Sequence, residues 1–448
     1  MGLSTSVFAD DLYQVYQMAV EKDPTTNRAK ADRDAAFEGI SISRANLLPQ
    51  VSGQISYSEG TTENFNSPID ENGNELVDAN GNPVIGVAER STTNLGVDLV
   101  LDLSIYDRQN WIALSRAEKV ASQSDTNFAL SKQDLIVRTT NAYLAILRAK
   151  DSLTFVQAEK RAIERQLEQT KQRFNVGLTA ITDVHEAQAN FDNTVAQEII
   201  AENVVESRLE EMREITGKYH DNLSVLNTEI FSPSRPSPEG VDNWLKIAEE
   251  KNLDLMVRNF SKDIAKDDIS SAKSGHLPTL SLRAAYGRDE TEVNGNSGLP
   301  TRNNDSVSLT LRVPIYSGGA VSAQTAQARY RYVAASEDLE LAHRSIVRSV
   351  RGSYNDVIAA TSTIRALEQA VVSADSALKA TEAGFDVGTR TIVDVLNSTR
   401  NLFDARRNLA SARYDFISAI LALKRASGNL TVQDLVDFSR GLMVTKTS

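Results

Sequence analysis

Between Asp107 and Val176 the chain contains neither glycine nor proline, and no other feature constrains the fold as much, because nothing in this stretch interrupts a helix. Within it Ile136, Tyr143, Ile146, Leu153, Val156, Ile163, Leu167 and Phe174 follow one another at intervals of 7, 3, 7, 3, 7, 4 and 7 residues. That is heptad spacing, the mark of a coiled-coil seam. A helix of about 65 residues rises 1.5 Å per residue and runs for roughly 100 Å, several times the width of a small domain. Such a chain is expected to be elongated rather than globular.

The same seam occurs twice. Adding 211 to each position gives Val347, Tyr354, Val357, Ile364, Leu367, Ala374, Leu378 and Phe385. The segment RFNVGLTAITDV at 173–184 returns as GFDVGTRTIVDV at 384–395. This predicts an internal two-fold repeat. Gly177 and Gly388 mark tight turns between helices, because glycine tolerates the backbone angles such turns need. Return helices are expected at about 182–217 and 393–428, with Gly217 and Gly428 at their ends.

Ahead of each long helix stand segments with a period of two. Leu95, Val97, Leu99, Leu101, Leu103 and Ile105 alternate with small or polar residues including Asp98, Asp102 and Ser104, and Val307, Leu309, Leu311, Val313 and Ile315 alternate likewise. Shorter partners follow Pro49 and Pro278, namely Val51, Gly53, Ile55 and Tyr57, and then Leu280, Leu282, Ala284 and Tyr286. Segments of about ten residues with one greasy face suit tilted strands in a bilayer. Four strands cannot close a barrel, and open edges are forbidden in lipid. Either several copies pool their strands, three copies supplying twelve and leaving room for a lumen, or the strands are soluble caps.

The plan is therefore a first repeat at 10–217, with strands at about 49–58 and 92–105 and a long helix at about 107–176. A linker at 218–245 leads to a second repeat at 246–428, with strands at about 278–287 and 305–315 and a long helix at about 319–387. Residues 429–448 follow. Residues 1–9 read as the remnant of a secretory signal cleaved after Ala9.

Composition excludes several functions. The net charge of −12 with no Lys/Arg-rich run argues against a nucleic-acid partner. With no cysteine there is no disulfide, thiolate metal site or cysteine nucleophile. No apolar run reaches the length of a transmembrane helix, so any span is β-structure. His185, His220, His276 and His343 lie in no metal-binding spacing, and no phosphate-loop, dinucleotide or nucleophile-elbow motif is present. No enzyme activity, metal or cofactor is expected. Asp70, Asn72, Asp78 and Asn80 sit in Asn-Gly-rich loops and read as turn residues, since the ligand order of a calcium loop is not matched.

The words LYQVYQMA (12–19), ADRDAAFE (31–38), LLPQ (47–50), GHLPTL (275–280), PIYSGG (314–319), AHRSIV (342–347) and GTRTIVDVL (388–396) complete a pattern spanning about residues 10–430. It resembles the TolC-type outer membrane factor family. The resemblance implies an α+β elongated membrane protein: a homotrimer with a 12-stranded transmembrane β-barrel continuous with a 12-helix coiled-coil barrel in the periplasm. Residues 218–245 and 429–448 would form an irregular equatorial collar. Such a duct conducts drugs and secreted proteins passively. It receives them from an inner-membrane efflux pump or ABC exporter through a periplasmic adaptor, and it sits in outer-membrane lipid. The rival reading is a non-conducting periplasmic or surface coiled-coil scaffold.

Carried over residue by residue, the resemblance places adaptor-binding tips at Gly177, Leu178, Gly388 and Thr389. Gate links fall at Gln166 with Glu382, and at Arg390 with Thr182 and Asp183, so that iris-like opening of the helix ends would break them. Two positions depart from the family: Phe385 stands where the gate tyrosine would be, and Asn397 where a second constriction aspartate would be. Asp394 is left to form the constriction. Around a threefold axis its copies would raise one another's pKa and favour cations.

Overall fold

The computed structural model describes residues 10–66, 68–69, 71, 75–294 and 301–443. The signal remnant at 1–9, and Asp70 and Asn72 of the loop, lie outside the described residues. In chain order the elements are α1 (Leu12–Lys22), α2 (Pro24–Ala45), β1 (Gln50–Asn66), β2 (Gly86–Tyr106), α3 (Arg108–Asn175), α4 (Ile181–Thr216), β3 (Val225–Leu226) and α5 (Val241–Lys251). There follow α6 (Leu253–Ser274), β4 (Thr279–Val293), β5 (Arg302–Arg312), α7 (Ala320–Asp386), α8 (Ile392–Ala426), α9 (Val432–Ser439) and β6 (Leu442–Met443). The breaker-free stretches become helices of 68 and 67 residues, α3 and α7. Each is about 100 Å long at 1.5 Å per residue.

The chain divides into two units. One comprises Ala36–Ala121 and Asp263–Val333, and holds an antiparallel sheet in the order β1-β2-β4-β5. Its register, with Ile55 opposite Val97, Leu99 opposite Tyr286 and Leu282 opposite Leu309, puts the apolar residues on one face. There Ile55, Leu99, Val307 and Leu309 are exposed. The opposite face is polar, because Gln54, Asp98, Gly287 and Asn304 share one rung. A Cβ on Gly287 would lie 2.6 Å from Asp98 Oδ1, so the bare backbone at that crossing leaves room for the Asp98 carboxylate, which a larger residue would displace. On the helical side of this unit, Arg116 Nε lies 2.9 Å from Asp268 and Lys119 Nζ 2.6 Å from Asp267, joining α3 to α6.

The strands outrun the sequence expectation. β1 has 17 residues and β2 has 21, so 59–66 and 86–91, read as loop, are paired strand. From Ser58 to Asn66 almost no residue is apolar, and the two-stranded ladder continues on backbone hydrogen bonds without the alternation that signals a strand in sequence.

The other unit comprises Met1–Ala35, Ser122–Lys262 and Ala334–Ser448. Its main core gathers Leu12 and Val15 of α1, Leu135, Tyr143 and Leu147 of α3, Met212 of α4, Trp244 of α5, Val350, Val357 and Ile364 of α7 and Leu423 of α8. The heptad seam positions Ile136, Tyr143, Ile146, Val156, Ile163 and Leu167 are all buried. α1 is tied in at its start: Ser224 donates its amide to the Asp10 carbonyl at 3.1 Å, and Tyr143 donates its hydroxyl to the Ser224 carbonyl at 2.6 Å. The buried His220 ring places Nδ1 2.8 Å from the Asp10 carboxylate, which makes it a packing residue. After α1, the buried Asp23 accepts two hydrogen bonds from Arg138, at 3.0 and 2.7 Å.

The segments expected to be irregular are partly ordered. β3 and β6 pair, with Val225 opposite Met443 and Leu226 opposite Leu442, and α9 packs Leu435 into the main core. Two-residue strands and an eight-residue helix are too short to carry a legible period.

Candidate functional site

The echoing segments end α3 and α7 in the same way. Gly177 and Gly388 both take a φ of 78°, the left-handed conformation in which glycine alone is unstrained. The Leu178 amide donates to the Arg173 carbonyl at 2.8 Å and the Gly177 amide to the Phe174 carbonyl at 2.9 Å. Thr389 and Gly388 repeat this with Gly384 at 2.8 Å and Phe385 at 3.1 Å. Both ends are Schellman motifs, which satisfy the orphan carbonyls of a helix C-terminus. A Cβ at either glycine would meet nothing within 4 Å, so backbone angle, not crowding, requires glycine there.

The return helices start differently. At α8 the cap is Thr391, whose side chain accepts from the Asp394 amide while Asp394 reaches back to Thr391, forming a capping box. At α4 the cap position is Ala180, which has no side-chain acceptor, and Asp183 instead accepts a hydrogen bond from the Thr179 hydroxyl. Both carboxylates thus serve the first turn of a helix, where the partial positive end of the dipole favours them.

The two hairpins meet through a small apolar cluster of Ile163, Leu167, Ala187, Phe385, Ile392, Val395 and Leu396. Phe385 is buried in it. At the ends of the turns Val176, Leu178 and Val387 are 70%, 68% and 75% exposed, an unusual display for large apolar side chains on adjacent turns.

The structure places the residues singled out in the sequence as follows. Gln166 is half-buried and Glu382 is exposed, while Thr182, Arg390 and Asn397 are exposed. Asp183 is engaged within its own turn, and Arg390 lies along α7, so the two are not joined within one chain among the described residues. Asp394 was expected to have its pKa raised by its symmetry copies. Within the chain the direction is the reverse: the Thr391 backbone amide, the Thr391 hydroxyl and then the charge of Arg390 hold the carboxyl below its ordinary value.

Sequence reasoning missed Gly384. A Cβ there would lie 2.7 Å from Arg390 Cγ and 3.3 Å from Thr389 Oγ1, so the bare helix surface at Gly384 is where Arg390 rests. It also missed the capping box, although a threonine three residues ahead of an aspartate before an apolar run is its usual signature. Among the described residues no group of three His, Cys, Asp or Glu could hold a metal, and no helix is long and apolar enough to cross a membrane.

Comparison with known proteins settles the family. The profile of the outer membrane efflux protein family matches residues 15–218 and 244–429. The chain belongs to the outer membrane efflux protein family. It is 44% identical over 446 residues to the outer membrane protein TolC of Vibrio cholerae, covering 99% of this chain and 96% of that one. To TolC of Escherichia coli it is 43% identical over 458 residues, covering 99% of this chain and 88% of the relative. The proteases secretion protein PrtF of Dickeya chrysanthemi is 27% identical over 97% of this chain and 91% of its own length. Among solved structures, the CmeC outer membrane channel of Campylobacter jejuni superposes with a TM-score of 0.76 at 15% identity, covering 97% of this chain and 90% of that one. That likeness shows the fold. As a member of this family the chain is an outer-membrane channel protein of the efflux and secretion type.

Proposed function

We propose that three copies of this chain pool their strands into a 12-stranded barrel in the outer membrane, continuous with a 12-helix tunnel across the periplasm, and conduct cargo passively. The observation that carries this reading is the sheet β1-β2-β4-β5: it has one exposed apolar face, one polar face and, among the described residues, two unpaired edges. Four strands are too few to enclose a lumen, and edges left open in lipid would strand backbone donors and acceptors. Pairing β1 of one copy with β5 of the next removes every edge. The helices support the same assembly, since Tyr330, Leu341 and Val372 of α7 are 77%, 68% and 59% exposed in the single chain and a neighbouring copy would cover them.

The 211-residue repeat then supplies each copy with two equivalent hairpins, at 10–217 and 246–428, and the segments 218–245 and 429–448 form a collar outside the tunnel. At the closed end Gln166 with Glu382, and Arg390 with Thr182 and Asp183, link the coiled helix pairs, and iris-like movement breaks these links. Asp394 rings the constriction with Asn397 beside it. The exposed turns at Gly177, Leu178, Gly388 and Thr389 receive a periplasmic adaptor that couples the duct to an inner-membrane pump or ABC exporter. Drugs and secreted proteins are the cargo, the second supported by the similarity to a protease secretion protein.

Single-channel recording of the purified protein in planar bilayers tests the reading. Discrete cation-preferring steps are expected. Electrical silence from a protein that stays monomeric in detergent-free buffer would leave the scaffold reading in its place.

A further inference from the structure

Arg173, near the end of α3, reaches across to the second hairpin. Its guanidinium carbon lies 4.6 Å from the centre of the Phe385 ring, well inside the range in which a cation is held by an aromatic face. Its Nη1 is 3.8 Å from the Asp386 carboxylate, which is 63% exposed, whereas the Arg173 side chain is 24% exposed. Its Nε is buried and has no hydrogen-bond partner among the described residues. A guanidinium gives up hydration at such a site only where something replaces it, and the buried ring face supplies that compensation. Phe385 in turn sits in the cluster with Ile163 and Leu167 of α3 and Ile392, Val395 and Leu396 of α8. The Arg173 carbonyl also accepts the Leu178 amide that closes the first turn. One residue therefore bears on the backbone of one turn and on the anchoring ring of the other.

We propose that Arg173 is the clasp that holds the two hairpin ends of each chain together in the resting duct, acting through the face of Phe385. The inference rests on the gated-channel reading and adds to it a link inside one chain, distinct from the polar gate links. A ring without a hydroxyl cannot anchor by a hydrogen bond, but its face is free to take a cation. The ion pair with Asp386 contributes little, being long and exposed.

The test is open probability in single-channel records of the full-length protein. Losing a cation–π contact of this kind should change the ratio of open to closed occupancy roughly 2- to 30-fold. Arg173→Gln, which keeps length and polarity but not charge, is expected to raise the ratio. Phe385→Leu, which keeps the apolar volume but not the π face, should raise it by a similar factor, and the double variant should add nothing to either single change. Phe385→Tyr should retain the closed state, and Asp386→Asn should leave the ratio unchanged.

Arg390→Ala, which removes one of the proposed gate links, is the reference. If it opens the duct while Arg173→Gln does not, the clasp is wrong and the gate stands. If neither opens it, the gate reading fails as well. Multiplying effects in the Arg173/Phe385 double variant would also overturn the clasp, because the two residues would then act independently. Thermal denaturation of each variant separates opening from unfolding: a raised ratio counts for the clasp only where the melting profile is retained, and a raised ratio confined to variants that melt early counts against it.

Discussion

The amide and the hydroxyl of Thr391 each lie 2.9 Å from the same carboxylate oxygen of Asp394. That oxygen closes the first turn of α8, and the other takes no part in the cap. One residue thus serves as a helix cap and, in the proposed assembly, as the charge at the constriction. The two roles can be separated. Asp394→Asn keeps an acceptor for the cap and removes the charge, so cation preference should fall while amide protection at the start of α8 persists. Asp394→Ala should lose both. Reversal potentials in bilayers, together with hydrogen exchange, check this, and an unchanged preference in Asp394→Asn would remove Asp394 from the constriction.

The pH dependence follows from the direction of the Asp394 shift. Its pKa is lowered by the Thr391 amide and hydroxyl and by Arg390, so its charge persists below the ordinary carboxylate value of about 4. For stability the sign is the same: the contribution is present above that value and is lost as pH falls through the lowered pKa. Cation preference should therefore hold down to about pH 4. In Thr391→Ala it should fade at a higher pH than in the parent. Fading well above pH 4 in the parent would mean that repulsion among the three copies outweighs the cap.

Arg138 and Asp23 form the best-made ion pair in the helical unit, a double hydrogen bond of 3.0 and 2.7 Å to a buried carboxylate. Burial pushes the Asp23 carboxyl up, but Arg138 and Thr26 together pull it below its ordinary value. Arg138→Met strands that carboxylate and should cost about 3 kcal/mol, read as an earlier melting transition at neutral pH. The loss should shrink as pH falls through the Asp23 pKa, since the parent loses the same interaction there.

Gly384 gives a prediction in which stability and function move oppositely. Alanine in a helix is favoured over glycine by roughly 0.5–1 kcal/mol, yet a Cβ at 384 would lie 2.7 Å from Arg390 Cγ. Gly384→Ala should displace Arg390 and raise open probability without lowering the melting temperature. Unchanged gating would show that the resting place of Arg390 on α7 does not matter to closure.

Much of this fold could be read from sequence because its long elements are strongly periodic. The heptads of α3 pointed to residues such as Tyr143, Ile146 and Ile163, all buried, and Gly177 and Gly388 marked the turns at which φ is positive. What stayed hidden had a local cause in each case. The outer part of β1 alternates no apolar face, so Thr61 and Glu63 read as loop although they pair with Ser91 and Glu89. The Arg173–Phe385 contact joins residues far apart in sequence, and no local period connects them. Asp394 was visible as a charge but not as a cap, because the heptad and repeat patterns carry no mark for the side-chain bond that Thr391 makes to it.

The central claim is that β1 of one copy pairs with β5 of the next. The chain has no native cysteine, so pairs introduced between Ser52–Ser56 of β1 and Asn304–Thr310 of β5 report on that edge alone. Under oxidation in native outer membranes, at least one pair should trap the protein as a covalent trimer on a denaturing gel, released to monomer by reductant. If no pair in the scan yields more than monomer, the strands do not meet between copies and the shared barrel is contradicted.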